Sequence, residues 1–584
     1  MSERLTLAAL DPPTGPCVLV QDADRLLLFE KPIDVIEAAV THAVVPALER
    51  ADAELARGRW VAGFLAYEAA AAFGLAVRDQ DTDGPPLLWL GVFDEPTPCA
   101  RPLLHNCQSP SGPWQAALDE ARYVAIAERL HEHIAAGDTY QLNLTFPLVA
   151  NFSEEPFALF CRLLAAARPA HAGYLDIGDF AVVSASPELF FRRRDGLIEA
   201  RPMKGTAPRG RTSEEDERRA NELRGSDKER AENLMIVDMM RNDLGRVAEL
   251  GSVAVTRLFS VERYPTLLQM TSTVTARSRA SLSVLMAALF PCASVTGAPK
   301  KRTMSLLKEY EILPRGIYTG TIGCAGPDGS AHWNVAIRTA VVDRRRALLS
   351  YGVGSGIVAD SEAGREYAEC LLKAQILEQT PFALLETMAF RPGSGFHHLE
   401  RHLDRMASSA AHFCYPFDRL AIKQALDDLA QTLTGPTRVR LLLHVDGGIA
   451  AETARLAALP VGPARVGLAS RPVSTESIWL YHKTTRREVY DEAQASRPDC
   501  DDVLLWNERG ELTESAIANV VVEIEGRRVT PPLSCGLLPG VERARLLDEG
   551  GLQEALVRVS DLPTGSRIWL VSSLRGVREG VFVG

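Results

Sequence analysis

Along the chain, stretches in which apolar residues recur every three or four positions alternate with shorter stretches in which they recur every second position. Gly or Asp-Gly pairs punctuate the changes, which predicts a mixed α and β protein; no repeat with a period of about 20–50 residues suggests a solenoid. In "SASPELFFRRRDGLIEARPMKGTAPRG", two strand-like runs flank Asp195-Gly196, a strong hairpin signal. "NVAIRTAVV" reads as a further strand. Residues 209–232 mix acidic and basic side chains and lead into Leu234-Met235-Ile236-Val237, which predicts one exposed helix that becomes buried. At residues 377–382, "LEQTPF" ends a long helical stretch, and "HLERHLDRM" beyond it opens a new pattern with its own charged helix. The boundary between two units is placed there, giving residues 1–378 and 382–584.

Composition narrows the class. At about 150 residues per domain, 584 residues correspond to roughly four domains or two large enzyme-sized units. The formal charge of -11 argues against nucleic acid, whose phosphates call for a basic footprint. Ten cysteines are scattered with no C-x-x-C pair, so no zinc or dithiol site is written locally. Residues 1–13 lack a leader pattern and the longest apolar stretch, 284–295, is too short and too polar to span a bilayer. A cytoplasmic chain with reduced thiols and no membrane insertion is the expectation.

Two carboxylate pairs carry the strongest spacing signal. Glu229 and Glu232 lie three apart in "DKERAENLMIVDMMRNDLGRV", and Glu366 and Glu369 lie three apart in "GREYAECLLKA". On helices each pair shares a face. Four converging carboxylates suit Mg²⁺, which keeps waters and bridges to a substrate's anionic oxygens; either pair alone reads more readily as a solvated helix face, and the two pairs together with their flanking glycine loop favour the metal. Gly352, Gly354 and Gly356 in "YGVGSGIVADSE" precede the second pair, and glycine lets backbone N–H groups approach an anion. The spacing is not the dinucleotide fingerprint. Arg338, on the strand-like run, offers a fork for a carboxylate. A small, multiply anionic substrate is implied.

The hairpin carries an acid and a lysine. A two-residue turn pairs Glu188 with Met203, and a three-residue turn with a bulge pairs it with Lys204. Beside apolar Leu189 and Phe190 the carboxyl would be a general acid with a raised pKa, and a desolvated Lys204 could attack carbon. A cross-strand Glu–Lys pair is the plainer alternative.

These residues match a family. "AAGDTYQLNLT", "SASPELFF", "PMKGTAPRG", "DKERAENLMIVDMMRNDLGRV", "ASVTGAPKKRTM", "GIYTGTIG", "NVAIRT" and "GSGIVADSEAGREYAE" resemble the chorismate-utilising enzymes from about residue 120 to 378. That family contains anthranilate, isochorismate, salicylate and aminodeoxychorismate synthases. The resemblance implies a large β-sandwich-like core with surrounding helices. It implies Glu229, Glu232, Glu366 and Glu369 as Mg²⁺ ligands, and Ser294, Thr296, Tyr318, Arg338, Gly354, Ser355 and Gly356 as substrate-binding residues. "P-x-K-G-T" resembles the aminodeoxychorismate branch, where other branches carry Ala at Lys204. By that resemblance Lys204 attacks ring C2 of chorismate while Glu188 protonates the departing 4-hydroxyl; ammonia then adds at C4 and expels the lysine. Gln269 stands where the family usually has His, a residue tied to pyruvate elimination in the anthranilate branch. No cysteine sits in a glutaminase nucleophile segment, so ammonia comes from solution or a glutamine amidotransferase subunit.

In the second unit, "LLETM", "HLERHLDRM", "HKTTRREVYDEA", "LLWNERGELTESAIANVVVEIEGRRVTPPLSCGLLPGVER" and "VSSLRG" resemble fold-type IV pyridoxal-phosphate enzymes, a two-subdomain fold. That group includes aminotransferases and aminodeoxychorismate lyase. The resemblance implies Lys483 as the cofactor-bearing, proton-moving lysine, its pKa pulled down by burial and by Arg486 or Arg487. Glu514 is implied as partner of the pyridine nitrogen, Arg401 and the N–H groups of Val541 and Glu542 as holders of the phosphate, and Thr387 as a hydroxyl near the cofactor. Lyases tend to have Asn-Ser where this chain has Ser572-Ser573. His397, His398 and His402 read as a surface cluster rather than a metal site.

Together the units imply conversion of chorismate and ammonia to 4-amino-4-deoxychorismate, then pyruvate elimination to 4-aminobenzoate, the folate branch. A homodimer through the second unit is allowed. Two alternatives stay open: an anthranilate or salicylate synthase fused to an aminotransferase, and a synthase with a degenerate second unit.

Overall fold

The computed structural model describes residues 13, 15–22, 25–100, 113–264, 267–378 and 380–584. Residues 1–12, part of the stretch read for a leader, lie outside them, as does Cys107. The described chain divides between Thr380 and Pro381, and Arg209–Arg219 groups with the second unit.

The first unit is built on two ten-stranded sheets. Strand pairs within both sheets are antiparallel, as alternating apolar sequences with tight turns favour. Val18, Val182 and Leu175 from one sheet meet Phe64, Ile322 and Trp89 from the other in a dry layer, which makes the sandwich expected from the resemblance. Helices cover the outer faces: Tyr123 and Leu130 pack with Leu144 and Phe146 on one side, and Met240 and Leu285 with Phe191 and Trp333 on the other.

Asp195 and Gly196 both have positive φ, 49° and 72°, so the hairpin between Leu189–Arg194 and Leu197–Arg201 closes through a two-residue turn. A bulge follows within Leu189–Arg194, and Met203–Pro208 leaves this hairpin to pair with Leu267–Arg277. Residues 209–232 differ from the single helix predicted. Two helices form, Ser213–Gly225 and Asp227–Gly245, and the Ser226 hydroxyl between them caps the second by accepting the Glu229 N–H.

The second unit has two parts, as predicted. A four-stranded antiparallel sheet packs against helices Leu399–His412 and Arg419–Thr432 through Met388, Leu403, Met406 and Ile422. An eight-stranded mixed sheet follows, with parallel pairs at Ala464–Leu468. No helix among the described residues is long and apolar enough to cross a membrane.

Candidate active sites

In the first unit, a cavity of about 310 Å³ gathers most of the residues singled out from sequence: Glu188, Lys204, Ser294, Tyr318, Arg338, all four glutamates and Gly354, Ser355 and Gly356. Strand Leu348–Ile357 alternates regularly, with Gly352, Gly354 and Gly356 on one face. Their missing side chains are what leaves room. A Cβ on Gly352 would collide with the Tyr318 ring, and one on Gly354 would collide with Thr145.

Lys204 lies on Met203–Pro208 with 16% of its side chain open to the cavity and its ammonium 4.0 Å from Glu232. Burial holds its pKa below the usual lysine range, against the pull of Glu232. Its strand is clamped from both sides. Asn233 donates to the Lys204 carbonyl at 3.2 Å and accepts from Ser272 at 2.6 Å, and Gln269 donates to the Gly205 carbonyl at 2.8 Å. Gln269 therefore holds the lysine-bearing strand, and Asn233 is a residue that sequence reasoning passed over.

Glu188 is buried and accepts the Ser294 hydroxyl at 2.5 Å. Burial pushes its carboxyl up to about 7, with Ser294, the Met203 N–H and the Lys204 charge pulling the other way. The raised acid that the hairpin pattern suggested thus lines the same cavity as the lysine. Arg338 is held at a positive φ of 49°, and among the described residues no carboxylate pairs with it. A half-buried guanidinium without a counter-charge suits an anionic substrate.

One expectation changes, and one pair appears that sequence reasoning did not name. Thr296 is fully buried and its hydroxyl bonds the Cys292 and Ala293 carbonyls at 3.2 Å, so it shapes the loop rather than the cavity wall. Behind that wall stands the buried Arg315–Glu311 pair at 2.7 Å, which also holds the carbonyls of Asn143 and Val295 and the Thr145 hydroxyl. Nothing in the spacing of Glu311 and Arg315 marked it: both lie in the loop after helix Lys300–Tyr310, and only the course of that loop brings them together.

The four glutamates come from two helices, Asp227–Gly245 and Ala363–Ala374. Glu366 accepts the Ser355 hydroxyl, and Glu369 pairs with Lys373 at 2.8 Å. Burial and the neighbouring Glu232 push Glu229 up. A cation would relieve this crowding. The tightest set of ligand atoms among the described residues lies elsewhere, at His397, His398 and Glu542, and there Arg545 takes both Glu542 oxygens.

In the second unit Lys483 is held down to about 8, by burial first and then by Arg405 and Arg487, with Glu386 and Glu514 opposing. Arg487 was expected. Arg486 instead lies over the Trp479 ring at 5.1 Å. Glu514 is buried and bonded to the Tyr490 hydroxyl at 2.8 Å, the Leu538 N–H at 3.0 Å and Asn519 at 3.1 Å, and burial pushes it up to about 7.

Arg401 departs from its expected place. It is 43% exposed and paired with Asp548 at 2.8 Å on the outer face of its helix. One turn on, Arg405 is buried in a network: its guanidinium holds Glu386 at 2.6 Å and the Pro539 carbonyl at 3.0 Å, while His402 bridges Glu386 and Ser573 at 2.6 Å each. His402 is therefore a core residue rather than part of a surface cluster. The apolar seam Leu403, Met406 and Ala410 could have shown which face turns inward. Val541 and Glu542 open helix Val541–Asp548 behind Gly540, where no intrahelical carbonyl reaches the first N–H groups. Thr387 is half-buried on strand Leu384–Arg391, next to Glu386.

Two family models match, one for chorismate binding enzymes over residues 99–379 and one for amino-transferase class IV over residues 383–580. The chain joins a chorismate binding enzyme domain to an amino-transferase class IV domain. Its match to the aminodeoxychorismate synthase of Streptomyces griseus is 40% identical over 312 residues, 51% of this chain and 42% of the relative. Its match to the anthranilate synthase component 1 of Streptomyces coelicolor is 39% identical over 286 residues, 48% of this chain and 55% of the relative. The chain thus spans about half the length of the curated relatives it matches. The crystal structure of anthranilate synthase component I from Streptococcus pneumoniae shares the fold, with a TM-score of 0.53 and 22% identity over 65% of this chain and 95% of that one. The two curated relatives differ in name at nearly equal identity, so the reaction has to be argued from the site.

The class IV domain implies pyridoxal phosphate, and its residues fit the group. Lys483 has no carboxylate partner among the described residues, and Glu514 is a buried acid bonded only to neutral donors. A phosphorylated, cationic heterocycle would satisfy both, with Arg405 in the place expected of Arg401 and the Val541–Asp548 helix start offering N–H donors.

Proposed function

We propose that the first domain aminates chorismate to 4-amino-4-deoxychorismate and that the second removes pyruvate from that product to leave 4-aminobenzoate. The observation that carries this reading is Lys204 in the same cavity as the protonatable Glu188, its ion pair with Glu232 no closer than 4.0 Å. A domain that only eliminates pyruvate needs no amine there.

Arg338 would receive a carboxylate of chorismate. Lys204 would form a bond to ring C2 as the 4-hydroxyl leaves, and the Glu188 proton would go to that oxygen to release water. Ammonia would then bond C4 while the Lys204 nitrogen leaves C2, restoring the free amine. Ammonia would come from a glutamine amidotransferase subunit. Glu229, Glu232, Glu366 and Glu369 would hold Mg²⁺, and the ion would supply charge stabilisation for the anionic substrate.

In the second domain pyridoxal phosphate, when bound, supplies an electron sink. Lys483 would hold it and take the C4 proton, Glu514 would face its ring nitrogen, and Arg405 with the Val541 and Glu542 N–H groups would hold its phosphate. Elimination of pyruvate then gives an aromatic ring. The test is peptide mass after quenching with chorismate and no ammonia. An adduct on the peptide containing Lys204 is expected, and wild-type turnover by Lys204→Ala would refute the covalent route.

A further inference from the structure

Arg209–Arg219 follows strand Met203–Pro208 directly in sequence, yet it groups with the second unit. The amino-transferase class IV match begins only at residue 383, so this segment lies outside what that family model describes. Internal bonds fix its shape. The Arg209 guanidinium donates to both Asp216 oxygens at 2.7 and 3.0 Å, and the Gly210 N–H donates to the same carboxylate at 2.9 Å. Only glycine fits there, because a Cβ on Gly210 would stand 2.1 Å from the Asp216 nitrogen. A buried pair satisfied in this way holds one geometry, whereas loss of either partner leaves a charge unpaired.

The segment reaches the residues that precede Lys483. Arg209 donates to the His412 carbonyl at 2.5 Å, Arg211 lays its guanidinium over the Tyr481 ring at 5.7 Å, and the Arg211 carbonyl accepts the His482 Nε2–H at 3.1 Å. His482 is buried, and its Nδ1 lies 3.0 Å from the Ser409 hydroxyl. Burial holds the imidazole down to about 4, so the ring is neutral; with Nε2–H donating to a carbonyl, Nδ1 accepts from Ser409. One imidazole therefore ties the residue before Lys483 to helix Leu399–His412 and to Arg209–Arg219 at once.

Past the lysine the backbone is held by a strand. The Leu385 N–H donates to the Lys483 carbonyl at 2.9 Å, and Leu384 bridges to Thr484. Lys483 thus hangs between two anchors, strand Leu384–Arg391 on one side and the His482 imidazole on the other. The amine is under the charges of Arg405, Glu386, Arg487 and Glu514, and its burial, the largest influence on it, depends on both anchors holding.

On the reading of Lys483 as the cofactor-bearing lysine, we infer that Arg209–Arg219 is a positioning element for Lys483, acting through the Arg211 carbonyl and His482. The test is the pH profile of Lys483 acetylation by acetic anhydride in the full-length chain freed of pyridoxal phosphate, read as labelled peptide mass. His482→Leu removes both hydrogen bonds and should let water reach the amine, raising the midpoint by about one pH unit toward the ordinary lysine range. His482→Gln keeps an N–H donor for the Arg211 carbonyl and should restore most of the wild-type profile. Should His482→Leu not fold, Arg211→Ala, at a side chain 27% exposed, should loosen the segment and move the midpoint the same way. A variant with wild-type Tm and an unmoved midpoint overturns the positioning role alone. Visible cofactor absorbance that persists in Lys483→Ala defeats the reading of Lys483, and the positioning role with it.

Discussion

Gly356 lies against Lys204 so closely that a Cβ on the glycine would stand 2.5 Å from the lysine nitrogen. The absent side chain is the space the ammonium occupies. Because the atom it would strike is the tip of a flexible side chain, the collision displaces the lysine more readily than the backbone.

Gly356→Ala should therefore separate folding from catalysis. Stability is expected to stay within about 1 kcal/mol of wild type, while amination falls by about a hundredfold or more as the lysine leaves its place. Thermal melts beside steady-state rates check this. Full activity in the alanine variant would mean that the position of Lys204 does not matter.

For Glu188 the prediction concerns pH. Burial favours the neutral carboxyl and places its pKa about 7, and a general acid acts only when protonated. Amination should lose rate as pH rises through about 7. The Ser294 hydroxyl stabilises the charged form, so Ser294→Ala should raise the Glu188 pKa and move the alkaline limb upward. A limb that moves down, or stays, removes Glu188 from the acid role.

Glu366→Gln should weaken the response to Mg²⁺, raising the concentration needed for half-maximal rate by about tenfold. Stripping the ion with a chelator should abolish amination and restoring it should recover the rate. An unchanged metal titration in the variant takes Glu366 off the ligand set.

Arg401 and Arg405 make opposite predictions one helical turn apart. Arg401→Ala breaks an exposed ion pair worth about 0–1 kcal/mol and should leave the Kd for pyridoxal phosphate unchanged. Arg405→Lys keeps the charge but loses the planar fork, and should weaken cofactor retention measurably. The reverse result would return the phosphate to Arg401. Lys483→Ala should abolish the visible absorbance of the bound cofactor, and its persistence would point to another lysine.

Much of this was legible in the sequence because it depends on local spacing. The hairpin at Asp195-Gly196, though not its turn length, the helical faces of the glutamate pairs and the glycine face all follow from turn residues and periods of 2 and 3.6. What escaped depends on contacts between distant segments. The Arg405–Glu386–His402–Ser573 network spans nearly the whole second domain, and Asn233 meets Lys204 only because a helix returns beneath the strand. Arg401 and Arg405 look alike in sequence, and only packing tells which one the core takes in. The break at Ser226 was readable as a cap, but continuous charge on both sides hid it.

The most direct measurement is product identity with chorismate, ammonium, Mg²⁺ and pyridoxal phosphate, each omitted in turn. Aminodeoxychorismate should accumulate without pyridoxal phosphate and 4-aminobenzoate should form with it, and neither should form without ammonium or Mg²⁺. Formation of 2-aminobenzoate or salicylate from the same mixture would contradict the account.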